Sequence, residues 1–412
     1  MRHLGESEIQ ERSPIYRITF DYGVRRQLES RTPAVSLLPN LRTIVARKND
    51  LPLTSLFLTP RVHHLKVTMY PRQVAALSSL ALEIPLRAPN LRSLHLVNQV
   101  VWDAPHQAQF VDALLELLKN LQLEEFVCWF PLSQDMLNAV LDMPDLNTVD
   151  IYATMPDLAQ VVHTHPVQEA RIRKFSLHVP SLVPFGFSHI IPSFHLSKLE
   201  ALTITTRFGK CNATELTSMI STLVNTCSPE YLTVIYINTG HYDFPQPGAV
   251  IDFKMLEPLL PFMHLRRITL PRHPFDLTDA EIKDMAMAWP NLEELSYWQY
   301  QYVSPEGLNT IVPRTSPRGL LWLATHCRKL NSLTFPFHSS SGALADLTED
   351  EMALAEGHSL RLFDVGFSEI ECAEEVARII KRVFPNLTLL VLIIGRPNTE
   401  KWEKVQQLIR RL

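Results

Sequence analysis

The sequence repeats one short apolar frame along nearly its whole length. Apolar residues occupy the first, fourth and sixth positions of this frame, as in Leu91, Leu94 and Leu96. Thirteen segments fit it, and they begin at residues 41, 62, 91, 123, 146, 172, 199, 232, 265, 292, 330, 360 and 387. Neighbouring frames begin 21 to 38 residues apart, which is the spacing of an array whose units pack on their neighbours.

Five frames share a lead-in of proline, asparagine or aspartate, and leucine. These tripeptides begin at Pro39, Pro89, Pro144, Pro290 and Pro385. A sixth tripeptide, at Pro156, falls outside the frame, and an additional frame is possible at Ile15, Ile18 and Phe20. Because 46% of the residues are apolar, chance matches to a loose template are common, and the regular spacing with a shared lead-in argues against them.

The intervals between frames show helical periodicity. Leu216, Ile220 and Leu223 share one helical face. Thr278 with Glu281, and Thr348 with Glu351, have the spacing of capping boxes at the start of a helix. A short strand alternating with a helix predicts an α/β fold, a leucine-rich-repeat solenoid (horseshoe) of about 13–14 irregular strand–helix repeats. The alternative is a doubly wound α/β domain, whose turns are usually glycine-rich, whereas this chain has only 12 glycines.

One repeat points to a family. Residues 319–333 read Gly-Leu-Leu-Trp-Leu-Ala-Thr-His-Cys-Arg-Lys-Leu-Asn-Ser-Leu, with a cysteine just before the next strand, and Cys227 before Leu232 is a weaker copy. In this pattern the chain resembles, over residues 15 to 395, the leucine-rich-repeat region of F-box/LRR proteins, particularly the divergent fungal sets. No F-box is recognised, since about 14 residues precede the first possible frame.

The resemblance implies a function. It implies the substrate-recognition part of a cullin–RING ubiquitin ligase subunit, which would reach the ligase through an adaptor if an F-box is supplied. The alternative is a free-standing leucine-rich-repeat scaffold or inhibitor with no ubiquitin-ligase role.

The repeat pattern also divides the chain. Residues 1–14 form an N-terminal segment, 15–395 the solenoid and 396–412 a C-terminal capping helix, with an apolar stripe of Trp402, Val405 and Leu408 or Ile409. Leu389, Val391 and Ile393 are apolar where the concave face should be polar. Either the terminal helix covers this edge or a partner binds there, and we expect the helix, because an uncovered terminal strand invites aggregation.

The third, fifth and seventh positions of each frame are predicted to line the concave face of the sheet. We expect a protein partner to bind there through Trp129, Asp150, Tyr152, Lys174, Tyr236, Arg267, Glu294 and Trp298. Exposed aromatic residues are frequent anchors of protein interfaces. The mixed charges favour a protein over a phosphate polymer, although some aromatics could instead pack under proline-rich loops.

Several other classes are disfavoured. The 39 basic and 43 acidic residues give a net charge of −4, which argues against a nucleic-acid partner. The longest apolar run, 387–394, is too short for a membrane span. With no secretory signal and five scattered cysteines, we expect a cytoplasmic or nuclear protein.

Catalytic and cofactor patterns are also missing. Neither a P-loop nor a nucleophile-elbow motif occurs in the sequence. The pairs His63–His64 and His163–His165 have no cysteine or carboxylate nearby at ligand spacing. We therefore expect no metal, no cofactor and no enzymatic activity.

Overall fold

A computed structural model describes most of the chain. The described residues are 38, 40–46, 51–69, 74–98, 107–130, 132–152, 172–179, 196–206, 213–239, 250–271, 275–297, 313–340, 347–366, 368–392 and 398–411. They belong to two compact units, Met1–Leu146 and Asn147–Leu412. The possible frame at Ile15, and the predicted positions Trp298 and Ile393, lie outside the described residues.

The first unit alternates parallel strands with helices. Its strands neighbour one another in chain order and are β1 (Thr43–Ala46), β2 (His64–Met69), β3 (Ser93–Asn98) and β4 (Glu125–Cys128). Its helices are α1 (Leu51–Thr54), which continues as a 3-10 turn (Ser55–Phe57), α2 (Val74–Arg87), α3 (Gln107–Lys119) and α4 (Gln134–Leu141).

The second unit continues the same alternation. Its main strands, again parallel and in chain order, are β5 (Thr148–Tyr152), β6 (Lys174–Val179), β7 (Ala201–Thr206), β8 (Val234–Thr239), β10 (Arg267–Leu270), β12 (Glu294–Tyr297), β13 (Ser332–Thr334), β15 (Leu362–Asp364) and β17 (Leu389–Val391). Two small parallel pairs join β9 (Ile251–Asp252) to β11 (Phe275–Asp276) and β14 (His338–Ser339) to β16 (Glu369–Ile370).

The helices of the second unit occupy the intervals between its main strands. They are α5 (Ala213–Thr226), α6 (Phe253–Leu256) with a 3-10 turn (Glu257–Leu259), α7 (Asp279–Ala288), α8 (Pro317–His326), α9 (Glu349–Ala355), α10 (Ala373–Val383) and α11 (Thr399–Arg411). In both units the order of the strands excludes a doubly wound sheet, in which the order of the strands reverses at a switch point.

The thirteen frames supply the strands of these sheets. Within each unit, the fourth positions of neighbouring frames are direct partners, for example Leu65 with Leu94, and Ile268 with Leu295. All fourth positions are buried, and they are Ile44, Leu65, Leu94, Phe126, Val149, Phe175, Leu202, Ile235, Ile268, Leu295, Leu333, Phe363 and Leu390. A mixed α/β fold with a large parallel sheet, as the sequence predicts, is thereby confirmed.

A shared backbone carbonyl sets this register. The carbonyl of the second frame position accepts the N–H groups of both the second and the third position of the next frame. Thus Arg42 O accepts from His63 N at 2.9 Å and from His64 N at 3.1 Å. Glu293 O likewise accepts from Asn331 N at 2.8 Å and from Ser332 N at 3.2 Å. The same geometry recurs at Arg92, Asn147, Arg173, Glu200, Thr233, Arg266, Asn331 and Arg361.

Where the proline lead-in is present, it forms a β-turn just before the strand, as at Pro89 and Pro290. Leu91 N donates to Ala88 O, and Leu292 N donates to Trp289 O, both at 3.1 Å. Proline then occupies the second turn position, where its fixed φ suits the turn. The side-chain amide of Asn90 donates to Pro60 O at 2.9 Å, which ties this turn to the turn of the preceding repeat.

Several helices begin and end at the residues that the sequence predicts. Thr278 caps α7 and Thr348 caps α9, each in a capping box with the glutamate three residues on, as predicted. Helix α8 ends at Cys327, whose thiol donates to the carbonyls of Ala286 at 3.6 Å and Trp289 at 3.5 Å in the preceding repeat. Burial raises the pKa of the Cys327 thiol to about 12, so this cysteine acts as a core residue.

The C-terminal helix α11 packs on the last repeats through Trp402, Val405 and Ile409, which are buried. Trp402 Nε1 donates to Ser368 O at 2.9 Å, and Gln406 Nε2 donates to Leu390 O on strand β17 at 3.2 Å. Leu389, on the other face of β17, is 49% exposed. The helix therefore covers the core side of the last strand. The expectation that it also covers Leu389 is wrong, since this side chain stays in contact with solvent.

We predict that Leu333→Ala lowers the free energy of unfolding by about 2–5 kcal/mol, because Leu333 is fully buried in the fourth-position row and its removal leaves a cavity. Urea unfolding followed by circular dichroism measures this. The matched control is Leu354→Ala, at a position 57% exposed, which should change the stability by less than about 0.5 kcal/mol. Equal effects of the two substitutions would contradict the assignment of the core.

Candidate functional site

The face of the sheet opposite the fourth and sixth positions is called the open face here. It consists of the third, fifth and seventh frame positions, and the open face of each unit is described separately. Strand β7 illustrates the alternation, since Leu202 and Ile204 are fully buried while Thr203 and Thr205 are half-buried. The polar residues of the strands are therefore presented away from the core.

In the second unit, the described residues of the predicted set lie on the open face. Lys174 and Arg267 are exposed, and Asp150, Tyr152, Tyr236 and Glu294 are half-buried. They come from β5, β6, β8, β10 and β12. The structure thus places six predicted residues on one sheet face, although Lys174 and Arg267 are separated by the two strands β7 and β8.

In the first unit, Trp129 directly follows strand β4. It is half-buried, and its N–H donates to Leu96 O at 2.9 Å, so its backbone continues the strand pairing. The fifth position of the same frame, Val127, is buried to 7% exposure, although it belongs to the open face. Not every position of the open face is therefore available to a partner.

A polar cluster around the carboxylate of Glu125 lies on the open face of the first unit. Ser93 Oγ donates to Glu125 Oε2 at 2.7 Å, and His95 Nε2 lies 3.2 Å from the same oxygen. Contact with His95 lowers the pKa of Glu125 to about 2, with a further contribution from the Ser93 hydrogen bond, against the opposing effect of burial. Burial lowers the pKa of neighbouring His64.

This cluster contains a serine, a histidine and a carboxylate, the residue types of a catalytic triad, but the carboxylate lies between the other two. The serine and the histidine both face the carboxylate, so the histidine is not placed to take the proton of Ser93. A carboxylate with a pKa of about 2 is also a weak base at neutral pH. The geometry favours a structural or recognition role for Glu125.

A second histidine–carboxylate pair lies on the open face of the second unit. His178 Nε2 is 2.8 Å from Asp150 Oδ1 on the neighbouring strand, and His178 Nδ1 is within hydrogen-bond distance of Thr205 Oγ1 on the strand beyond. One imidazole therefore bridges strands β5, β6 and β7. Both ring nitrogens thus lie close to an oxygen of a neighbouring strand, which favours this orientation of the ring.

The central strands of the second unit carry an aromatic residue among polar groups. Asn238 Nδ2 donates to Tyr236 Oη at 3.2 Å, which orients the phenol. Arg267 and Glu294 are register partners on β10 and β12. Burial raises the pKa of Glu294, and the positive charge of Arg267 partly offsets this. The surface thus offers an aromatic ring, a cation and a partly desolvated carboxyl group.

Some residues of these clusters were missed by sequence reasoning. Ser93, Thr205 and Asn238 complete the hydrogen bonds of Glu125, His178 and Tyr236, and of these six residues only Tyr236 was selected. Their third- or seventh-position placement was the available signal, because residues at those positions face the same side as the selected ones. Selection for charge and aromaticity passed over small polar side chains.

The described part of the chain contains neither a metal-binding cluster nor a membrane-spanning helix. Within it, no set of three or more histidine, cysteine, aspartate or glutamate residues is arranged to bind a metal ion. Within the same residues, no helix has the length and apolar character needed to cross a membrane.

Comparisons with known proteins find similar chains among the solved structures. No protein-family model and no curated protein matches the chain. A chain in a crystal structure of the yeast Rad7 and Elc1 complex is similar, with 16% sequence identity and a TM-score of 0.39. The match covers 84% of this chain and 78% of that chain. A likeness at this level says nothing about the partner or activity of the present protein.

We predict that Glu125→Gln lowers the free energy of unfolding by about 1–3 kcal/mol at pH 7, because charge-assisted contacts to His95 and Ser93 are lost. The folded-state pKa of Glu125 lies below its ordinary value of 4.5. Its stabilising effect is therefore complete above that value and disappears as the pH falls from 4.5 towards 2. Urea unfolding of both proteins across this range measures the difference.

The control for this prediction is Glu124→Gln at the adjacent residue. Glu124 pairs with Arg92 at 2.9 Å, but both side chains are largely exposed, so the loss should be below about 1 kcal/mol. A Glu125→Gln effect that does not change with pH would show that the carboxylate charge is not the stabilising element.

Proposed function

We propose that this chain is a leucine-rich-repeat solenoid that binds a protein partner on its open face and carries out no catalysis. The observation that supports this most is the set of polar and aromatic side chains that β5, β6, β8, β10 and β12 of the second unit present on one face of the sheet. A protein surface presenting this mixture over several strands suits a partner with alternating charges and an apolar anchor.

The carboxyl groups of the open face indicate which chemical groups of a partner it would bind. Asp150 and Glu125 are already engaged by histidines, whereas Glu294 is partly desolvated and lies beside Arg267. A partner group that donates a hydrogen bond to Glu294 would relieve part of this desolvation. The binding surface therefore centres on Tyr236, Arg267 and Glu294.

The resemblance to F-box/LRR proteins supports a more specific proposal. In it, the open face selects the protein that a cullin–RING ubiquitin ligase modifies, in the cytoplasm or the nucleus. The free-standing scaffold or inhibitor is the alternative, and the two differ in one property, which is binding to the ligase adaptor.

A pull-down of this chain from a lysate of its source cells, probed for the cullin–RING adaptor, distinguishes the two proposals. Recovery of the adaptor together with other proteins supports the ligase role. Recovery of a stable protein partner without the adaptor supports the scaffold and contradicts the ligase role.

We predict that Tyr236→Ala combined with Arg267→Glu weakens binding of the recovered partner by at least about tenfold, because an aromatic anchor and a charge contact are removed together. Biolayer interferometry with purified partner measures the affinity, and circular dichroism checks that the variant is folded. The control is Lys254→Glu, an exposed residue of helix α6. Unchanged affinity of the double variant would move the binding site away from the open face.

A further inference from the structure

A second surface lies among the helices of the second unit, on side chains that the open face does not use. It is called the helix-side patch, and it consists of Lys283 and Met287 of α7, Trp322 and His326 of α8, Arg328 in the following turn, and Leu354 of α9. Lys283 and Met287 are four residues apart, as are Trp322 and His326, so each pair shares one helical face.

The rings and cations of this patch are in direct contact. Lys283 Nζ lies 4.3 Å from the centre of the Trp322 ring, which is a cation–π arrangement between α7 and α8. The Trp322 and His326 rings are stacked, with centroids 6.0 Å apart and planes 21° apart. An Nη2 hydrogen of Arg328 is donated to Leu354 O, which joins α9 to the same patch.

The cations of the patch have no carboxylate partner among the described residues. Elsewhere in this unit Arg318 pairs with Glu351 at 3.2 Å, and Arg382 pairs with Glu349 at 2.8 Å. Lys283 instead contacts the Trp322 ring, and Arg328 contacts a backbone carbonyl. Among the described residues, no carboxylate therefore lies within salt-bridge distance of either cation.

His326 lies in the positive field of Lys283 and Arg328. Its Nε2 atom is buried and has no hydrogen-bond partner among the described residues. Burial lowers the pKa of His326, and the charges of Lys283 and Arg328 lower it further. An incoming carboxylate would meet the two cations Lys283 and Arg328.

Exposed apolar side chains flank these charges. Met287 and Leu354 are each 57% exposed, and they lie on the two helices on either side of α8. Single exposed apolar residues are ordinary, but two of them beside a half-buried tryptophan and two unpaired cations make a mixed surface. Methionine adapts its shape to different apolar groups at such surfaces.

We propose that the helix-side patch binds an acidic, apolar segment of a second protein. Carboxylates of the segment pair with Lys283 and Arg328, and its apolar side chains pack on Met287, Trp322 and Leu354. Two unpaired cations are few for a phosphate polymer, whose binding usually requires many phosphate contacts, whereas one or two acidic residues beside an apolar anchor match this surface.

The test is selection of random dodecamer peptides displayed on phage, with the full chain as the target. We expect the enriched peptides to combine Asp or Glu with Leu, Phe or Trp. Fluorescein-labelled copies should bind the Lys283→Glu/Arg328→Glu variant at least about tenfold more weakly than the original chain. Lys254→Glu/Arg378→Glu, which changes the net charge equally at exposed positions of the same unit, should alter the affinity less than about twofold.

Trp322→Ala is a second variant, and it leaves the net charge unchanged. It should also weaken binding of the peptide, because the ring is part of the proposed surface. Absence of enriched acidic and apolar peptides would overturn the proposal, as would equal binding to the patch and control variants. Tight binding of a fluorescein-labelled oligothymidine that depends on Lys283 and Arg328, without peptide binding, would assign the patch to nucleic acid instead. Because the open-face variant is measured separately, failure at one surface leaves the other proposal standing.

Discussion

Within each unit, the backbone carbonyl at the second position of a frame is the contact on which pairing with the next strand depends. It accepts two N–H groups from the following repeat, so it fixes where that strand begins. Side chains in a strand alternate between two faces, and a slip of one residue would move every leucine from the core to the solvent. The buried fourth-position row and the doubly accepting carbonyl therefore specify the same register.

This register also determines which polar groups meet. His178 contacts Asp150 on one side and Thr205 on the other because the register of the three strands places these residues beside each other. The cluster around Glu125 arises in the same way, since Ser93 is the direct register partner of Glu125 and His95 lies two residues further along β3. Inter-repeat polar contacts on the open face thus follow from the hydrophobic pattern.

The sequence predicted the parts of the structure that local patterns determine. The frames specify the strands, the threonine–glutamate pairs specify the starts of α7 and α9, and the cysteine before Leu330 marks the end of α8. Each of these depends on residues close together in the chain, where spacing carries the information.

Contacts between repeats were less predictable. Ser93, Val127 and Thr269 are buried although they belong to the open face, because their burial depends on side chains of neighbouring repeats. The helix-side patch joins residues 283, 322 and 328, which no short motif connects. Spacings of 21 to 38 residues place such partners beside each other, but the sequence pattern does not reveal which side chains touch.

The most direct test of the repeat register is the reactivity of cysteines introduced along strand β7. Thr203→Cys lies on the open face and Leu202→Cys lies in the core, and mass spectrometry of the labelled peptides measures the rate of alkylation at each in the native protein. The register described above predicts rapid alkylation at residue 203 and protection at residue 202 until the protein unfolds. Equal rates at the two positions, in variants that are folded by circular dichroism, would contradict the assignment of the two faces.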